Sequence, residues 1–156
     1  MIKLIWLVPL LPLLGFVING IGRNTLSKSV SGIIGSGMVL GAFIISLCAF
    51  FELGSASVKE HTIFLFDWIN AGSLNIPLSF LFDPLSAIML LIITGVGFLI
   101  HIYSIGYMHS DQGFGKFFSY LNLFVFFMLL LVLGSNYIVM FIGWEGVGLC
   151  SYLLIG

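Results

Sequence analysis

The sequence predicts an all-α integral membrane protein of about five transmembrane helices, with a β-hairpin between the second and third. Three observations carry this. Of 156 residues, 60% are hydrophobic and 7% are charged, against roughly 25% charged in a soluble domain. The mean hydropathy is +1.23. The charges also fall between apolar runs, each long enough to cross a hydrocarbon core of about 30 Å, which needs about 20 helical residues. Five basic and six acidic residues cannot cover a water-soluble globule, which excludes a soluble enzyme. The net charge of −1 gives no basic patch to draw a polyanion, so nucleic acid is not an expected partner. The bilayer is.

The first span is placed near 4–22, between Lys3 and Arg23. Lys3 before an apolar run imitates a signal peptide. Pro9, Pro12, the lack of a small-x-small cleavage site and the spans that follow argue that it is retained. The second span, near 31–51, lies between Lys28 and Glu52 and carries Gly32, Gly35, Gly37 and Gly41. Small residues on one helix face, Gly37-x-x-x-Gly41 among them, are a close-packing signal.

The linker that follows alternates. Phe64, Phe66 and Trp68 share one face, and Leu74, Ile76, Leu78, Phe80 and Phe82 continue the period beyond Asn70-Ala71-Gly72-Ser73. That pattern predicts a β-hairpin near 62–82, lying at the outer interface. Pro77 confines its strand to an edge or a bulge. Asp83-Pro84 opens the third span, near 84–107, with Asp as N-cap and Pro at the first helical position.

The stretch from Phe117 to Gly156 is too long for one crossing, since forty helical residues would reach about 60 Å. Gly134-Ser135-Asn136 divides it into spans near 117–133 and 137–156. Arg23, Lys28 and Lys116 then fall on one side and Lys3 and Lys59 on the other. The positive-inside rule makes the first side cytoplasmic and leaves the N-terminus outside. The whole chain, 1–156, is expected to form a single membrane domain.

Glu145 is the residue that demands a reason. It sits about eight residues into the last span, within Gly143-Trp144-Glu145-Gly146-Val147-Gly148. A carboxylate at membrane depth costs a few kcal/mol or more unless it is protonated, paired or hydrated, and such groups face a bundle interior or a wet cavity. The three glycines are read as clearing space around it for a helix or water. Burial raises a carboxyl pKa and a neighbouring ammonium lowers it, so a carboxylate with a withdrawable cationic partner is a proton switch. The alternative is a protonated Glu in a static interhelical hydrogen bond. No predicted span holds Lys or Arg in its interior.

His101, near the middle of the third span, is a candidate proton relay. It is equally read as a neutral imidazole bonded to a backbone carbonyl or a hydroxyl, with Ser104 one turn on. His109 lies in a predicted loop and His61 in the hairpin linker. Cys48 and Cys150 are about a hundred residues apart in apolar runs, which supports neither a disulfide framework nor a thiolate metal site. No cofactor or metal motif is visible, and the 16 Phe and the three Trp read as lipid- and helix-facing filler.

Taken together, several strings resemble a known family. They are Asp83-Pro84-Leu85-Ser86, His101-Ile102-Tyr103-Ser104-Ile105-Gly106-Tyr107-Met108, Phe117-Phe118-Ser119-Tyr120-Leu121-Asn122-Leu123-Phe124, and the run from Gly143 to Gly156. They resemble the L-type subunit (chain 5) of proton-pumping NADH–quinone oxidoreductase, respiratory complex I, over essentially the whole chain. Sister antiporter-like subunits and the large subunit of multisubunit cation/proton antiporters share the Glu-bearing helix. The His-x-Tyr-Ser-x-Gly-Tyr-Met string favours the L-type.

The resemblance implies that the essential glutamate of the fifth helix is Glu145. In the family it pairs with a lysine two helices later, near a broken helix, on a polar axis whose rearrangement moves protons outward. It also implies a chain without a redox centre or cofactor of its own, the complex using FMN, iron–sulfur clusters and quinone in other subunits. The implied partners are other membrane-arm subunits, an adjacent antiporter-like subunit above all. The implied location is a bacterial inner membrane, with the mitochondrial inner membrane or thylakoid as alternatives. Because family members are about four times as long, the chain reads as an N-terminal portion that should not pump alone. A cation/proton antiporter subunit and a non-pumping scaffold fragment are the competing readings.

Overall fold

The structure, a computed structural model, describes residues 2–155. A short 3-10 turn, Ile2–Leu4, leads into α1 (Leu7–Ile21), and a second, Gly22–Asn24, leads out of it. Then come α2 (Lys28–Ser55), the hairpin strands β1 (His61–Ala71) and β2 (Leu74–Phe82), α3 (Pro84–Tyr107), α4 (Phe114–Leu133) and α5 (Tyr137–Ile155). Five helical segments are long and apolar enough to cross a membrane, the first counted with its flanking turns as Ile2–Asn24.

The third span has the limits that the sequence predicts, and the fifth matches through Ile155, Gly156 lying outside the described residues. α2 and α4 differ. α2 begins at Lys28 rather than 31 and runs to Ser55, and α4 begins at Phe114 rather than 117. Hydropathy marks what lipid can cover, whereas helix ends are set by capping. Ser27 Oγ accepts from Val30 N (3.3 Å) and starts α2 three residues early. At the other end Lys59 Nζ donates to Leu53 O (2.8 Å) and Gly54 O (2.9 Å), covering carbonyls of the final turn. At about 1.5 Å per residue α2 is some 42 Å long, which puts Lys28 and Glu52 at its two ends, where a bilayer gives way to headgroups.

Two caps support the later helices. Asp83 Oδ1 accepts from Ser86 N (2.8 Å) with Pro84 at the first position of α3. Asn136 Oδ1 accepts from Val139 N (3.0 Å) at the start of α5.

The hairpin is antiparallel, from His61 paired with Phe82 to Ala71 paired with Leu74. Its two-residue turn has Gly72 at φ +61°, the sign that primed hairpin turns require at that position. Register shifts fall between Phe64 and Phe66 and between Asp67 and Ile69, the second beside the Asp67–Pro77 pair. Pro77 thus sits next to a bulge. Phe64, Phe66 and Trp68 form the exposed face, whereas Ile63 and Leu65 pack on the core. β2 seats the hairpin on the α4–α5 connection: Phe80 bridges to Gly134, the Ser79 and Ser135 hydroxyls bond, and Asn136 Nδ2 donates to Pro77 O (2.9 Å).

α1 packs against α2 and α4, α3 lies on α2 and α4, and α5 lies along α4. The core is mainly apolar at the hairpin end, with Ile5, Val8, Leu53, Phe80, Phe82, Leu90, Leu129 and Leu133 buried beside the hydroxyls of Ser46, Ser79, Ser86 and Thr94. Toward the other end amides and an imidazole join the hydroxyls: Asn19, Ser31, Ser36, His101, Ser104, Ser119 and Asn122 are all buried. Lipid tails are as apolar as Leu, so association here rests on close packing and polar bonds rather than on hydrophobic expulsion. Gly32 and Gly35 serve that purpose, facing Ile105 and Phe118 with Asn122, respectively. Gly37, half of the Gly37-x-x-x-Gly41 pair, meets nothing within 4 Å. The pair's spacing is therefore not a helix contact within this bundle.

Candidate functional site

Glu145 stands on α5, and the glycines decide which way it faces. A Cβ at Gly143 would lie 2.5 Å from Leu131 N, and one at Gly146 would run into the Phe127 ring. These two glycines, with Val139 and Cys150, are the buried side of α5 and bring its backbone against α4. Glu145 follows Gly143 by two residues, about 200° around the helix, and is exposed. The helix that Gly143 and Gly146 admit is α4, while a Cβ at Gly148 would meet nothing within 4 Å. Glu145 itself does not face the interior of these five helices. It shares an outer surface of α5 with Phe141, Trp144, Leu149 and Tyr152, all more than half exposed.

His101 is fully buried on α3. Its Nδ1–H donates to Gly97 O, one turn back, at 2.7 Å, since a carbonyl can only accept. Nε2 is buried without a partner among the described residues. The Phe118 ring meets the imidazole edge to face, centroids 5.8 Å apart. Beside it, between α3 and α4, is a cavity of about 200 Å³ whose other lining, from Ile92 to Met128, is apolar apart from backbone. The bond to a backbone carbonyl is one of the two arrangements the sequence allows for this histidine.

The two candidates are not brought together. α3 and α5 both lie on α4. Measured from the hairpin end, His101 is 17 residues along α3 and Glu145 eight along α5, so their depths differ by about 13 Å at helical rise. The remaining histidines are peripheral: His61 Nε2 donates to Val58 O (3.1 Å), and His109 offers its carbonyl to Lys28 Nζ (2.6 Å). Among the described residues no three His, Cys, Asp or Glu side chains are grouped to hold a metal, and both cysteines are free.

One polar cluster went unmarked in the sequence. Asn19 on α1 and Asn122 on α4 are both fully buried. Ser31 Oγ donates to Asn19 Oδ1 (3.0 Å), Asn122 Nδ2 donates to Phe118 O (2.9 Å), and Ser119 Oγ donates to Phe16 O (3.1 Å). A lone amide deep in an apolar span, with a glycine one turn away (Gly15 before Asn19), was the available signal.

Comparison with known proteins places these features. Residues 68–118, from the hairpin through α3 into α4, match the family described as NADH-ubiquinone oxidoreductase (complex I), chain 5 N-terminus. NADH-quinone oxidoreductase subunit L of Escherichia coli is 45% identical over 150 residues, covering 94% of this chain and 24% of that protein. NADH-ubiquinone oxidoreductase chain 5 of Chondrus crispus is 48% identical over 149 residues, 96% of this chain and 22% of that one. The chain thus spans about a quarter of the length of the curated relatives it matches. Among solved structures, the Mrp complex of a Dietzia species aligns with a TM-score of 0.75 at 25% identity, over 97% of this chain and 16% of that one. With five apolar helices and relatives that are subunits of NADH–quinone oxidoreductases, this is a membrane protein. It matches in sequence the N-terminal portion of an L-type, or chain 5, antiporter-like subunit of NADH–quinone oxidoreductase.

Proposed function

We propose that this chain belongs to a proton-translocating membrane-arm subunit of NADH–quinone oxidoreductase, with Glu145 as its proton-switching group. One observation carries the proposal. Glu145 is the acidic residue placed well inside an apolar span, on a helix face turned away from its own bundle, while Gly143 and Gly146 fix the rotation of α5 against α4. A carboxylate facing lipid would be costly, so its stable surroundings are another helix, a cation or water. In this reading the partner is a lysine on a later helix of the full-length subunit.

The chemistry is then a two-state one. A carboxyl beside an ammonium keeps its charge, and one left without that ammonium at low dielectric takes up a proton; the proposed switch alternates Glu145 between those two surroundings. Energy from quinone reduction elsewhere in the assembly is spent on moving the cation.

The chain supplies no redox centre in this account; FMN, iron–sulfur clusters and quinone belong to other subunits. Its partners are neighbouring membrane-arm subunits, an adjacent antiporter-like one above all. Residues 1–156 act as one membrane domain, with the N-terminus and the hairpin on the outer side, most simply of a bacterial inner membrane. His101 takes a secondary role. A relay through it accepts a proton at Nε2 and releases the one at Nδ1, which breaks the bond to Gly97.

The test is Glu145→Gln in the full-length subunit, assayed in sealed vesicles. Proton pumping is expected to fall at least tenfold while NADH oxidation by artificial acceptors stays near wild type. Wild-type pumping would end the switch assignment. His101→Ala should cost less, about two- to fivefold, and no loss would leave His101 a packing residue.

The likeness to the Mrp complex favours one second reading, a cation/proton antiporter subunit that uses the same Glu145. That reading requires a sodium-dependent pH change in vesicles and a complex without NADH oxidation.

A further inference from the structure

Asn19 and Asn122 are each left half-satisfied, and in complementary ways. Asn19 has an unpartnered donor, Nδ2, and Asn122 an unpartnered acceptor, Oδ1, among the described residues. Both amides border the same glycine. A Cβ at Gly35 would lie 2.8 Å from Asn122 Nδ2 and 3.3 Å from Asn19 Nδ2, and a Cβ at Gly15 would lie 2.8 Å from Asn122 Oδ1. Two glycines on neighbouring helices therefore keep side-chain atoms away from both amides.

Leaving a buried donor and a buried acceptor unpaired costs about 1–3 kcal/mol each. Turning either amide over does not help: Asn122 Oδ1 would then oppose the Phe118 carbonyl that Nδ2 now satisfies, and Asn19 would only exchange an unpaired Nδ2 for an unpaired Oδ1, because the Ser31 hydroxyl can accept as well as donate. A water molecule does help. It accepts from Asn19 Nδ2 with a lone pair and donates to Asn122 Oδ1, and its second hydrogen stays free for another acceptor.

Ser31, whose hydroxyl bonds Asn19, also lines a recess of about 170 Å³ that opens between Arg23, Lys28 and Gln112 at the bundle end away from the hairpin. We infer that Asn19 and Asn122 form a binding site for an internal water, fed past Ser31 from this recess. This makes the α1–α2–α4 interface a hydrated polar spur reaching into the bundle. The site is independent of the role proposed for Glu145, which faces outward from α5 on the far side of α4.

A density map of the full-length subunit in its native assembly, at a resolution that shows ordered water, tests this without any substitution. The expected result is a peak within hydrogen-bond distance of both Asn19 Nδ2 and Asn122 Oδ1. Direct contact between the two amides, or no peak beside them, overturns the inference. In the same assembly carrying Gly35→Ala, whose methyl crowds both amides, the peak should be lost while the helices keep their places. An undiminished peak at the same position there would also contradict the site as described.

Discussion

At the scale of single residues, the glycines of α5 show why residue type and residue role have to be separated. Glu145 is legible in the sequence as an acid inside an apolar span, because charge and hydropathy need no geometry. Its facing is not legible, since Gly143, Gly146 and Gly148 suit either a cleared space or a close helix contact. The backbone of α4 decides it: at Gly143 the obstacle is Leu131 main chain, which cannot swing away as a side chain does. Gly143→Ala is therefore expected to destabilise the membrane domain by about 1–3 kcal/mol through overpacking. Gly37→Ala, in open space, should be neutral or gain up to about 1 kcal/mol from helix propensity. Unfolding of the two variants in the same micelles measures the difference; equal stability would refute the α4–α5 contact. Asn19 and Asn122 were passed over for the opposite reason. An amide carries no charge to stand out from an apolar run, and only the fold shows that two of them meet.

At the scale of elements, the hairpin and the third helix were readable because their signals are local. Alternating aromatic and aliphatic positions, a Gly at the turn and Asp-Pro at the start of α3 are each satisfied within a few residues of chain. Where the elements dock was not readable. Asn136 marks a turn in the sequence, but in the fold it does two things at once: its Oδ1 caps α5 and its Nδ2 holds the hairpin at Pro77. Asn136→Ala should cost about 1–2 kcal/mol by removing the cap together with the hairpin bond. Asn136→Asp keeps an acceptor for Val139 N and loses the donor, so it should cost less and loosen the hairpin selectively. Amide exchange protection in β2 separates the two: protection unchanged in Asn136→Asp would show that the hairpin does not depend on this bond. The early start of α2 follows the same logic: a charge marks where lipid ends, and the helix continues until the Ser27 cap stops it. α4 begins at Phe114 behind Gly113, with no side-chain cap.

At the scale of the whole molecule, the five helices leave an exposed face on α5 that carries both an acid at membrane depth and large aromatics. Relatives of about four times this length are subunits of NADH–quinone oxidoreductases, and the proposed role of Glu145 requires the helices of such a subunit beside it. The count of spans and the family were accessible from sequence, the first from hydropathy and the second from motifs that the family shares. The outward turn of Glu145 was not, because it depends on which side of α5 meets α4.

The function proposed above places this chain inside an NADH-oxidising membrane assembly. It is tested most directly by mild detergent extraction of the native membrane, a native gel stained for NADH oxidation, and mass spectrometry of the bands. The account predicts peptides of this chain in the active high-mass band. Finding them in a smaller band without NADH oxidation would contradict it and remove the basis for the role given to Glu145.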